Sequence, residues 1–115
     1  MKSNLFIENL NAASLNCINN GDIGIPKFVR YITTVNRSED FEKYAKLIEN
    51  FSRSSFSKKE IQNVNISDDS TYITKLLKWN TGEAALLTVS IDKINLNKII
   101  DLLIIGSKGS IYHST

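Results

Sequence analysis

The stretch Thr71–Ile91, "TYITKLLKWNTGEAALLTVSI", decides the fold class. Two runs rich in β-branched, aromatic and other apolar residues flank "NTGE", whose Asn, Thr and Gly are turn residues, so the segment reads as a hairpin of strands Thr71–Trp79 and Ala84–Ile91. A strand with one wet face alternates apolar and polar residues. "AALLTVSI" is instead close to continuously apolar, the pattern of a strand covered on both sides.

Outward from this hairpin the same signals recur. Toward the C-terminus, "DKINLNK" is a longer connection, Ile99–Ile105 a strand, and Gly109–His113 a last strand after a Gly-Ser-Lys-Gly turn. The glycines of that turn supply backbone freedom for a hairpin, which accounts for them better than an anion seat does. Toward the N-terminus, Ile61–Ile66 reads as a short strand followed by an "SDDS" turn. Ahead of it, "SRSSFSKK" reads as a polar connector. Phe41, Tyr44, Ala45, Ile48 and Phe51 form a helical stripe, with Ser38 as its N-cap and Glu39 and Asp40 at the positive end of the helix dipole.

"KFVRYITTV", Lys27–Val35, is a strand. It follows a "GDIGIP" turn and an amphipathic helix over Asn4–Asn20, with Gly21 as the left-handed cap. The order predicts a single α+β domain over 1–115: an open, largely antiparallel sheet of five to six strands with helices packed on one face. Two helices cover one face only, and "AALLTVSI" and "LLII" ask for cover on the other. A second copy of the chain is the simplest cover, so a homodimer through the sheet face is expected, with Ile73, Leu77, Trp79, Leu87 and Val89 as candidate interface residues.

Composition narrows the function classes. The 115 residues are 42% hydrophobic and 23% charged with a net charge of +2, an ordinary globular balance. The densest basic group, Arg53, Lys58 and Lys59, lacks interleaved aromatics, which argues against nucleic acid. Asn4, Glu8 and Asn9 break any apolar run near the start, which argues against a leader or membrane span and for the cytoplasm. Cys17 is the one cysteine and His113 the one histidine. Neither has the neighbours of a zinc site, a nucleophile or a base. Asp68 and Asp69 sit where a turn uses Asp for backbone hydrogen bonds.

Three stretches taken in order resemble the C-terminal domain of the glucose-fructose oxidoreductase, inositol dehydrogenase and rhizopine-catabolism family (Gfo/Idh/MocA): "LNCINNGDIGIPKFVRYI", "DDSTYITKLLKWNTGEAALLTVSI" and "LLIIGSKGSIYHS". The resemblance implies an open sheet with helices on one face and an oligomer contact on the other. Family enzymes also carry an N-terminal dinucleotide-binding domain with a catalytic lysine, and this sequence begins where that domain would have ended. They usually carry an Asp and His motif on the helix after the first strand. Here "SEDFEKYAKLIENF" has Asp40, Glu42 and Tyr44 but no histidine.

No catalytic, cofactor or metal residue is therefore carried over, and no cofactor and no enzymatic activity of the chain by itself are expected. The expected function is a non-catalytic, self-associating scaffold or binding protein, a pseudoenzyme that recruits a protein or peptide partner in a biosynthetic pathway. The alternative is the substrate-binding half of a split NAD(P)-dependent oxidoreductase. A third reading is a small-ligand binder using the space between helices and sheet.

Overall fold

The computed structural model describes residues 2–56, 62–68, 71–92 and 99–114. Its elements are α1 (Lys2–Asn19), β1 (Pro26–Val35), a 3-10 turn (Ser38–Asp40), α2 (Phe41–Ser55), β2 (Gln62–Asp68), β3 (Tyr72–Lys78), β4 (Ala84–Ile91), β5 (Ile100–Gly106) and β6 (Ser110–Ser114). The six strands form one sheet in the order β2-β3-β4-β1-β5-β6. Only the β1–β4 pair is parallel, as the α2 crossover requires; the other four pairs are antiparallel. The α+β class and the open, largely antiparallel sheet are as expected.

α1 ends as its sequence dictates. Gly21 takes φ 79°, the amide of Gly21 bonds to the carbonyl of Ile18, and the amide of Asp22 bonds to the carbonyl of Cys17. This paired closure satisfies two carbonyls that the helix end would otherwise leave open. The helix is held to the sheet by Tyr31, which is fully buried on β1 and donates its hydroxyl to Asn11 Oδ1 at 2.5 Å. At the far edge Phe6 stacks obliquely on His113 at 5.5 Å between ring centres.

α2 differs from the sequence reading at both ends. Ser38 opens the 3-10 turn rather than capping the helix; Asp40 holds the cap position without a side-chain cap bond and pairs with Arg37 at 3.6 Å. The helix also runs past Phe51 to Ser55, through serines that read as connector. Ser52 and Ser55 are buried, and each hydroxyl donates to the carbonyl four residues back, Ile48 at 2.8 Å and Phe51 at 3.0 Å. Local bonding of this kind lets serine occupy a buried helix face without losing a hydrogen bond.

Strand ends shift by a residue or two from the sequence reading. Ser67 and Asp68, read as turn, close β2, while Asp69, Lys58 and Lys59 lie outside the described residues. One core gathers α1, α2 and a single face of the sheet: Ile7 and Ile18 from α1, Tyr44, Ile48 and Phe51 from α2, and Val29, Tyr31, Val35, Leu102 and Ile104 from the central strands.

Candidate functional site: the two faces and the edges of the sheet

Alternation assigns each strand residue to a face. On β1, Val29, Tyr31, Thr33 and Val35 are buried beneath the helices, and Phe28, Arg30, Ile32 and Thr34 between them are half-buried on the other side. On β4, Ala85, Leu87 and Val89 lie beneath the helices and Ala84, Leu86, Thr88 and Ser90 on the open side. Register carries the division across the sheet, because directly paired residues share a face.

This corrects the assignment of the candidate interface. Leu77, Trp79, Leu87 and Val89 are buried in the single chain, and Ile73 packs against the same core. All five belong to the helix-covered side: α2 lies over β4 and β1, and Trp79 is closed off by Phe56 at 4.4 Å between ring centres. Alternation shows that a strand has two kinds of side but not which one the helices take. The open face carries instead the cross-strand row Leu76, Leu86, Arg30, Leu103 and Tyr112. Beside it run Thr74 and Thr88, hydroxyl to hydroxyl at 3.2 Å, then Ile32 and Asp101. Arg30 pairs with Asp101 at 3.0 Å, and the Tyr112 hydroxyl reaches the same carboxylate at 3.4 Å.

Between α2 and the sheet lies a shallow open notch, with room for about 10 Å³, lined by Ala45, Ile48, Glu49, Ile73, Lys75, Leu87 and Val89. Its charged rim is Glu49, which takes Lys75 at 2.9 Å and Arg53 at 2.6 Å. Burial raises the Glu49 pKa, but the hydrogen bonds and charges of Lys75 and Arg53 outweigh it and hold the carboxyl below its ordinary value. The sequence analysis missed the Glu49–Arg53 pair, which its i,i+4 spacing could have signalled. The Lys75 contact, made across two elements, carried no such signal.

The segment matched to the family's motif helix gives no catalytic arrangement. Tyr44 is fully buried, and Asp40 is engaged with Arg37. Among the described residues no three His, Cys, Asp or Glu side chains group as a metal site would. No described helix is long and apolar enough to cross a membrane. The Gly-Ser-Lys-Gly turn packs on the N-terminal turn: the amides of Ser107 and Lys108 donate to the carbonyls of Ile25 and Ile23 at 2.9 and 2.8 Å. Two amides that would have to face an anion are therefore already committed.

No family model and no curated protein matches the sequence. Solved structures do match the fold. A myo-inositol dehydrogenase from Corynebacterium glutamicum superposes with a TM-score of 0.68 at 14% identity, over 91% of this chain and 37% of that one. A probable dehydrogenase from Thermotoga maritima gives 0.66 at 15% identity, over 90% and 38%. The chain has the fold of a Gfo/Idh/MocA-type C-terminal domain. A levoglucosan dehydrogenase in complex with NADH and levoglucosan shares this fold with a TM-score of 0.65 at 16% identity, over 87% of this chain and 36% of that one. The chain thus spans between a third and two fifths of the length of these dehydrogenases.

Proposed function

We propose that the chain serves as the substrate-side sheet domain of an NAD(P)-dependent oxidoreductase, with the dinucleotide-binding part carried by other sequence. The observation that supports this reading is the match of about nine tenths of the chain to dehydrogenases over little more than a third of their length. The chain's own described residues do not fit a dinucleotide. They include no Gly-rich strand-to-helix turn to take a pyrophosphate, and the one Gly-rich hairpin turn spends its Ser107 and Lys108 amides on backbone carbonyls. No step of hydride transfer is assigned to it. Its part is to supply a wall of the substrate site and a rigid sheet that fixes the geometry of the assembly.

The purified chain should leave NADH fluorescence unchanged. Co-expressed with a dinucleotide-binding polypeptide encoded beside it, the complex should bind NADH. A chain that binds NADH alone, or that forms no complex with such a polypeptide, would overturn the reading.

A second reading, a self-associating scaffold without catalysis, draws support from the open face. Leu76, Leu86, Ile32 and Leu103 are half-buried there with neither described helix above them, and Ile105 is 42% exposed. A second copy packed on this face would bury that apolar surface. Light scattering on Leu86→Glu distinguishes the readings: the scaffold loses its native mass, while NADH binding by the two-part enzyme does not depend on it.

A further inference from the structure

The sheet ends in two edges of different character. At β2 the pairing slips between Asn65 and Ser67, a bulge of the kind that blunts an edge against further pairing. At β6 the register runs without a slip from Ser110 to Ser114. The sequence there, Ser-Ile-Tyr-His-Ser, has no proline, lysine or acidic residue, so no side chain of the strand guards it against another strand in those ways.

The hydrogen-bond parity of β6 is fixed by its turn. The amide of Gly106 bonds to the carbonyl of Gly109, so those two form a hydrogen-bonded pair. Antiparallel ladders alternate, so the backbone groups of Ile111 and His113 face β5 and those of Ser110, Tyr112 and Ser114 face outward. The outward residues read the same in both directions: Ser, Tyr, Ser. Under a two-fold axis through Tyr112, an antiparallel copy places Tyr112 opposite Tyr112, and Ser110 opposite Ser114 on each side. Each of these three opposed pairs can exchange both amide-to-carbonyl bonds.

The side chains agree with that register. Tyr112 is 60% exposed at the middle of the strand, and no charge meets a like charge across the axis. Because the axis stands perpendicular to the sheet, both copies keep their helices on the same side. Phe6, 48% exposed above His113, then stands over the junction where the second copy brings Ile111 and His113.

We infer that two copies of this chain join edge to edge through β6, antiparallel about Tyr112, into one continuous sheet. The contact is separate from the open face and does not rest on the oxidoreductase reading. Its determinant is main-chain pairing guided by a palindromic strand, a form of strand addition in which the added strand comes from a second copy of the chain.

The test reads native mass and amide exchange together on the full chain. With rising concentration the mass should double and the amides of Ser110, Tyr112 and Ser114 should slow by about tenfold or more, as new hydrogen bonds protect them. Tyr112→Pro removes the central outward amide but none that faces β5, and should halve the mass at constant circular dichroism. Should that variant fail to fold, the pair Ser110→Lys with Ser114→Lys puts lysine opposite lysine and should halve the mass, whereas Ser110→Glu with Ser114→Lys puts Glu opposite Lys and should restore it. Several results overturn the inference: a mass unchanged by both disruptive variants, outward amides that exchange freely when the mass is doubled, a monomer at every concentration, or β6 amides protected only when a foreign peptide is added.

Discussion

Ser107 and Ile25 hold each other by two hydrogen bonds: the Ile25 amide donates to Ser107 Oγ at 2.8 Å, and the Ser107 amide donates to the Ile25 carbonyl at 2.9 Å. The Lys108 amide adds a third at Ile23. Two glycine-containing turns from opposite ends of the sequence are thereby laid backbone on backbone. Gly24 has φ 76°, and a Cβ there would run into Ser107 Oγ; a Cβ on Gly106 would run into the Ile23 carbonyl.

Gly24→Ala should therefore cost more than Ser107→Ala. The serine change removes one hydrogen bond at an exposed position, on the order of 0.5–1.5 kcal/mol. The glycine change adds left-handed strain of about 1–2 kcal/mol to the overlap. Urea unfolding of both variants checks the order; equal midpoints would refute it.

Thr33 is fully buried on β1, and its hydroxyl has no hydrogen-bond partner. Valine has nearly the same shape without the unsatisfied oxygen. Thr33→Val should raise stability by roughly 1 kcal/mol, seen as a higher denaturant midpoint at unchanged slope.

Glu49 titrates below its ordinary value in the folded chain, so folding favours its ionised form. That contribution is present above the unfolded carboxyl value and is lost as pH falls through the lower, folded one. Glu49→Gln should flatten the loss of stability between about pH 5 and pH 3 while lowering stability near neutrality, which denaturation at a series of pH values would show. Tyr31 behaves in the opposite sense. Burial raises its pKa, so the folded chain keeps the phenol protonated while the unfolded chain ionises above about pH 10, and stability falls with rising pH there. Tyr31→Phe should remove that alkaline sensitivity of the residue and, by taking away the Asn11 bond, loosen α1.

Leu87 and Leu86 are neighbours in sequence on opposite faces of β4. Leu87→Ala should destabilise the chain by about 2–5 kcal/mol, the cost of a core cavity, and leave association alone in the molecules that fold. Leu86→Glu, at a half-buried position on the open face, should cost clearly less stability, and on the scaffold reading it should also lower the native mass. Calorimetry with light scattering on the two variants separates core from surface.

Much of this architecture was legible. Gly21 announced the end of α1, "NTGE" announced a hairpin that Gly82 closes at φ 98°, and the apolar runs gave the strands and their approximate ends. What stayed hidden depends on partners distant in sequence. The side of β3 and β4 that α2 would take is set by packing, so Leu77 and Leu87 read equally well as core or as interface. Ser52 and Ser55 looked like loop because serine is a poor interior helix residue until its hydroxyl finds the carbonyl one turn back. Lys75 met Glu49, and Arg30 met Asp101, only because the sheet order brought them together.

The sheet order also constrains synthesis. β1 lies at the centre of the sheet, yet its flanking strands β4 and β5 come from the later half of the sequence. As the chain emerges from a ribosome, β1 has neither neighbour and shows the nascent-chain machinery an apolar segment with both edges bare. It can be zipped into place only after β4 and β5 have followed. The early elements must wait for the late ones, so a ribosome that stalls before β5 would leave an unpaired, aggregation-prone strand rather than a smaller folded piece.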